Sequence, residues 1–96
     1  MFIFYSVHYP APGKETQLAE SMHQYGEVMK RQPGLIFVAP YPFKDPEKGT
    51  LMGISIWDSE ESFQTALPAL QEARKDAPSR EWESRPTEVY MLHSVL

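Results

Sequence analysis

The chain contains no cysteine, which excludes disulfides, zinc-thiolate sites, iron–sulfur clusters and thiol nucleophiles together. It is short of positive charge: nine basic residues stand against thirteen acidic ones, for a net charge of −4. That balance gives no counterion-release drive toward nucleic acid or anionic lipid, and neither partner is expected. No apolar run approaches the ~20 residues of a membrane span. The opening Met1-Phe2-Ile3-Phe4-Tyr5 has neither the basic region nor the small-residue cleavage site of a signal peptide. A soluble, cytoplasmic protein is the expectation. Nor is there length for two cores, so residues 1–96 are expected to form one domain. What is present is a globular composition, 42% hydrophobic with 12% aromatics. A chain this small buries only ~60–65% of its unfolded surface, so oligomerisation is a natural addition to its core.

Proline and glycine punctuation divides the chain into six segments. Phe2 to Tyr9 is aromatic and β-branched and stops at Pro10-Ala11-Pro12-Gly13, as a strand does. From Lys14 to Arg31, Leu18, Met22, Tyr25 and Met29 recur at helical spacing, up to Gln32-Pro33-Gly34. Leu35–Tyr41 and Thr50–Trp57 are two further strands, joined by the polar, turn-forming stretch Pro42 to Gly49. Asp58 is placed as the N-cap of a second helix, with Glu61 completing a capping box. Its stripe of Phe63, Ala66, Leu67, Leu70 and Ala73 carries through Pro68 to Arg74-Lys75, which reads as one bent helix. After Ala77-Pro78, an irregular segment holding Trp82 leads to a last strand from Glu88 to about Val95.

The order βαββαβ with right-handed crossovers predicts an α+β, ferredoxin-like plait: a four-stranded antiparallel sheet with both helices on one face. The first strand is apolar on both faces, with Ile3, Tyr5, Val7 and Tyr9 on one and Phe2, Phe4, Ser6 and His8 on the other. Two helices cover only one face. The other predicts a homodimer packed sheet against sheet.

Pro12-Gly13-Lys14-Glu15, Gln32-Pro33-Gly34-Leu35 and above all Ile54-Ser55-Ile56-Trp57-Asp58-Ser59-Glu60-Glu61-Ser62-Phe63 resemble the antibiotic biosynthesis monooxygenase family, over nearly the whole chain. The resemblance implies a dimeric α+β barrel. It also implies several chemistries: cofactor-free oxygenation of phenolic polyketides, haem degradation, or isomerisation and binding of small metabolites. Haem-degrading members use an asparagine on the first strand, a tryptophan within the second helix and a histidine farther along it. This chain has no asparagine, carries Ala66 near the tryptophan position and offers no histidine in that helix. That route is not expected.

Oxygenation without a cofactor needs a base, a donor for the resulting anion and a dry pocket. His8, near the end of the first strand, is the first candidate base, with His93 on the last strand the second; His8 also reads as a surface or interface histidine at a strand end, and His93, near the C-terminus, as one that only pairs across the dimer. Tyr25, on the buried stripe of the first helix, is the candidate hydroxyl, or a core tyrosine. Tyr9, Trp57, Arg74, Trp82 and Tyr90 are candidates for contacting substrate. Against that role, the residues favour Arg74 as a snorkelling helix-end cation and Trp57 as a packing anchor. His23 falls off the apolar stripe and is expected to face solvent. No histidine pair has metal-site spacing, so neither metal nor cofactor is predicted. Three functions stay open: a cofactor-independent monooxygenase of a small aromatic or phenolic substrate, a non-catalytic small-molecule binder or dimeric interaction module, and an isomerase or lyase of a small metabolite.

Overall fold

Pro10 closes β1 (Phe2–Pro10), and α1 (Glu15–Lys30) follows in the computed structural model, which describes residues 1–76 and 79–95. Helix α1 ends where Gln32 donates from its backbone to Met29 and from its side chain to the Val28 carbonyl. Gly34 then turns the chain with φ 88°, against Ser62 and Asp58, and its carbonyl accepts from the Asp58 N–H at 2.8 Å. A side chain there would collide with Ser62, so glycine is required twice over.

Strand β2 (Leu35–Val38) is shorter than the apolar run predicts, because Pro40 and Pro42 have no N–H to give a ladder. The connection after it is more ordered than its polarity suggests. It contains β3 (Phe43–Asp45), which pairs with the start of β4 (Thr50–Trp57) through a turn held by Asp45. Helix α2 (Glu60–Arg74) is capped by Ser59, whose hydroxyl accepts from the Ser62 N–H at 3.1 Å. The predicted cap, Asp58, stands one residue earlier and accepts from the Ser62 hydroxyl instead. Helix α2 runs unbroken through Pro68, as the periodicity predicts. The Ala77-Pro78 break lies outside the described residues. Beyond it, Trp82 ends a short helix, α3 (Ser79–Trp82), and β5 (Glu83–His93) starts five residues before the predicted Glu88.

The antiparallel sheet runs β2-β4-β1-β5, with β3 attached to β4, which is the ferredoxin-like arrangement with one added strand. Register decides the faces. Phe2, Phe4, Ser6 and His8 of β1 stand opposite Trp57, Ser55, Gly53 and Leu51 of β4 on the helix side; Tyr5 and Val7 oppose Ile54 and Met52 on the other. The core occupies one end of the helix side, where Phe2, Met29, Trp57, Phe63, Ala66 and Leu70 are buried together. Phe63 packs on Phe2 and Trp57 at centroid distances of 5.2 and 5.6 Å. Along β1 this face then changes from aromatic to polar, and the core gives way to a cavity.

Candidate functional site

The cavity has a volume of about 680 Å³ and lies between the sheet and the two long helices. Its floor is Ser6 and His8 of β1 beside Gly53 of β4; Tyr25, Arg74 and Trp82 come from the three helices.

His8 is held from both ring nitrogens. Nδ1 stands 3.1 Å from Glu83 Oε1, and Nε2 stands 2.9 Å from Ser6 Oγ. A carboxylate only accepts, so Nδ1 carries the proton and the Nε2 lone pair takes the hydrogen bond donated by Ser6. Thr87 donates to Glu83 Oε1 at 2.8 Å, fixing the carboxylate in turn. The side chains of His8 and Glu83 keep only 12% and 9% of their exposure. Burial pushes the imidazole below its ordinary pKa, Glu83 pulls it back up, and the Arg74 charge lowers it further. The net direction is down, toward a neutral base.

The arrangement depends on irregular pairing. The β1–β5 register slips between Val7 and Tyr9 and again between Tyr9 and Pro10. Pro86, without an N–H, falls in the first slip. The two slips turn Arg85 outward over the Tyr9 ring, at 4.2 Å, while Thr87 and Glu83 both turn inward to His8.

On the opposite wall the Arg74 guanidinium lies 5.3 Å from the centroid of the Tyr25 ring. Burial raises the Tyr25 hydroxyl above its usual pKa, with Arg74 opposing. It is therefore a phenol at neutral pH, able to donate, beside a fixed positive charge. Trp82 closes the α3 side, its carbonyl accepting from the Ala11 N–H at 2.7 Å.

His8, Tyr25, Arg74 and Trp82 of the sequence candidates thus meet in one cavity; the others do not. His93 is not a partner of His8. In the antiparallel register it lies beside Phe2, at the other end of β1, where it is 60% exposed and pairs with Glu60 at 2.9 Å. Tyr9 and Tyr90 are on the far face of the sheet: Tyr9 donates to Glu88, and Tyr90 stacks on Tyr5 at 4.8 Å. Trp57 is wholly buried and donates from Nε1 to Ser55 Oγ at 2.9 Å, so it holds the core and meets no ligand. His23 does not simply face solvent, since its ring stacks on Tyr41 at 4.3 Å and hydrogen-bonds the Pro40 carbonyl. Sequence reasoning misses Ser6, Glu83 and Thr87. The i, i+2 spacing of Ser6 and His8 on a strand is a signal for the first; the register slips that bring in the other two leave none. Among the described residues no cluster of three or more histidine, aspartate or glutamate side chains is placed to hold a metal.

The fold is shared with Rv0793 from Mycobacterium tuberculosis, at a TM-score of 0.81 and 16% identity over 98% of this chain and 94% of that one. It is shared with an antibiotic biosynthesis monooxygenase at 0.79 and 12% identity over 100% of both chains. A mutant of SnoaB, a cofactor-independent oxygenase from Streptomyces nogalater, matches at 0.75 and 13% identity over 99% of this chain and 94% of that one. No family model and no curated protein matches the chain. At these identities the likeness is one of fold.

Proposed function

We propose that the chain is a cofactor-independent monooxygenase of the antibiotic biosynthesis type, acting on a small, flat, electron-rich phenol bound between helices and sheet. The observation that carries this reading is a neutral, buried His8, oriented by Glu83, in the wall of a cavity whose other side presents Tyr25 and Arg74. His8 Nε2 takes the phenolic proton by way of the Ser6 hydroxyl, which holds its lone pair. Arg74 and the Tyr25 hydroxyl hold the phenolate, whose ring is then rich enough to pass one electron to dioxygen. The radical pair joins at a ring carbon bearing hydrogen to give a hydroperoxide, and loss of water leaves a quinone. One dioxygen is consumed per substrate, one of its atoms entering product and the other leaving as water, with no external reductant.

The same reading includes a homodimer closed over the outer face of the sheet. Phe37, Tyr90 and Leu92 are 46%, 40% and 51% exposed there, an apolar surface that suits a second copy.

The test is oxygen uptake by the purified protein over a panel of polyphenols and quinols. Consumption that follows quinone formation and is lost in His8→Ala supports the oxygenase. Turnover indifferent to anaerobic conditions points to an isomerase or lyase, and saturable binding without turnover to a binding module.

A further inference from the structure

Ser6, His8 and Glu83 make a continuous hydrogen-bonded chain, 2.9 Å from hydroxyl to Nε2 and 3.1 Å from Nδ1 to carboxylate. This is the connectivity that activates a serine as a nucleophile: a base on the hydroxyl, and a carboxylate that orients the base. An oxygenase of phenols needs the serine only to relay a proton, not as a nucleophile. A second observation concerns placement. Ser6 pairs across the sheet with Gly53, and a Cβ at position 53 would stand 3.4 Å from Ser6 Oγ and 3.1 Å from the Met22 methyl. Glycine there admits the Met22 methyl, so that Met22 and Ser6 share the floor of the cavity. Ser6 and His8 both line the cavity, so the side chain that the histidine polarises is part of its wall.

We propose that Ser6 is an acyl-accepting nucleophile, with His8 as its base and Glu83 as the positioning residue, acting on activated esters or thioesters whose acyl part fits the apolar cavity. Ser6 Oγ attacks the carbonyl carbon while its proton passes to His8 Nε2. The bond to the alcohol or thiol leaving group breaks, and the leaving group departs with that proton. Water, deprotonated by the same histidine, then releases the acid and restores Ser6. Burial, which favours neutral His8, serves both steps. Ser6 lies mid-strand between β4 and β5, so its own N–H serves the ladder and not an oxyanion. Tyr25 and Arg74, which line the same cavity, are assigned that role, and without a backbone oxyanion hole the turnover is slow. A burst of acylation followed by slow release is the expected behaviour.

The experiment treats the whole chain with an alkyl fluorophosphonate and, separately, with p-nitrophenyl butyrate, following intact mass and p-nitrophenolate release. Neither reaction consumes oxygen or requires a phenol to be oxidised, so the outcome is independent of the oxygenase reading. The expected result is one adduct per chain, mapped to Ser6, absent in Ser6→Ala, and a burst of one p-nitrophenolate per chain. Glu83→Gln, which keeps the shape, lowers the labelling rate about tenfold or more and moves its acid limb to lower pH; His8→Gln lowers the rate about 100-fold. Thermal melts establish that each variant is folded. Adducts on other residues, no adduct, or a Ser6 labelling rate and pH profile unmoved by Glu83→Gln overturn the proposal.

Discussion

Glu83 Oε1 lies 3.1 Å from His8 Nδ1, a contact that fixes the tautomer of the histidine and opposes the burial that lowers its basicity. Burial lowers the imidazole pKa and the carboxylate raises it. Replacing Glu83 by Gln removes the raising influence while keeping a hydrogen-bonding group in place. The acid limb of the pH–rate profile for oxygen uptake is therefore expected to move to lower pH, with the plateau rate down about tenfold from looser orientation. A profile whose limb moves upward would reverse the assignment.

The same shift makes stability depend on pH. Folded His8 binds its proton less readily than the unfolded chain, where the ordinary value is 6.5. The unfolded state thus takes up more protons as pH falls below that value, and unfolding gains on folding. Stability is full above 6.5 and declines as pH falls from there toward the lower folded value. Calorimetric Tm measured between about pH 5 and about pH 7.5 is expected to fall on the acid side, and His8→Gln to flatten that fall.

Arg74 is expected to act on two groups at once, since its charge lowers both His8 and Tyr25. Arg74→Met lets both pKa values rise, so the acid limb of activity moves to higher pH, opposite to the Glu83→Gln variant. Loss of the charge that faces the phenolate is expected to raise KM about tenfold, the size of one hydrogen bond to a charged group. Steady-state kinetics over a pH series checks both, and a limb that stays in place would mean that Arg74 does not sense His8.

Much of this architecture is legible in the amino-acid order, and the illegible part has identifiable causes. Spacing at Leu18, Met22, Tyr25 and Met29 is enough to fix α1, because a stripe of this period has one place to go. The faces of β1 are different: both columns are apolar, so alternation alone cannot say whether Tyr9 or His8 turns to the helices. The register against β4 decides it, putting Phe2 in the core and His8 in the cavity. Glu83 is hidden more deeply. It looks like a solvated acid before the last strand, and only the two slips past Pro86 turn it inward. Trp57 is a different ambiguity: a tryptophan at a strand end suits a packing anchor or a ligand wall, and its burial with the indole paired to Ser55 makes it the anchor.

That pairing carries a stability prediction remote from the cavity chemistry. Ser55 is 1% exposed and its Oγ accepts from the Trp57 indole at 2.9 Å inside the core. Ser55→Ala strands a buried N–H and is expected to cost about 1–3 kcal/mol in urea unfolding. Phe63→Ala, which empties the centre of the aromatic cluster, is expected to cost about 3–5 kcal/mol. A Ser55→Ala variant as stable as the parent would mean that the indole finds another acceptor.

The outer face of the sheet supplies the last prediction. Tyr5 and Tyr90 stack there at 4.8 Å, with Leu92 beyond them half exposed, while the core lies wholly on the other side. Because the two faces share a sheet and not their side chains, a charge placed on the outer one is expected to disrupt association and leave the fold intact. The parent is expected to sediment as a dimer at micromolar concentration, with a Tm that falls on dilution as mass action requires. Tyr90→Glu and Leu92→Lys are expected to sediment as monomers with unchanged circular dichroism and a Tm independent of concentration. A parent chain that runs as a monomer would mean that this apolar surface is not closed by a second copy.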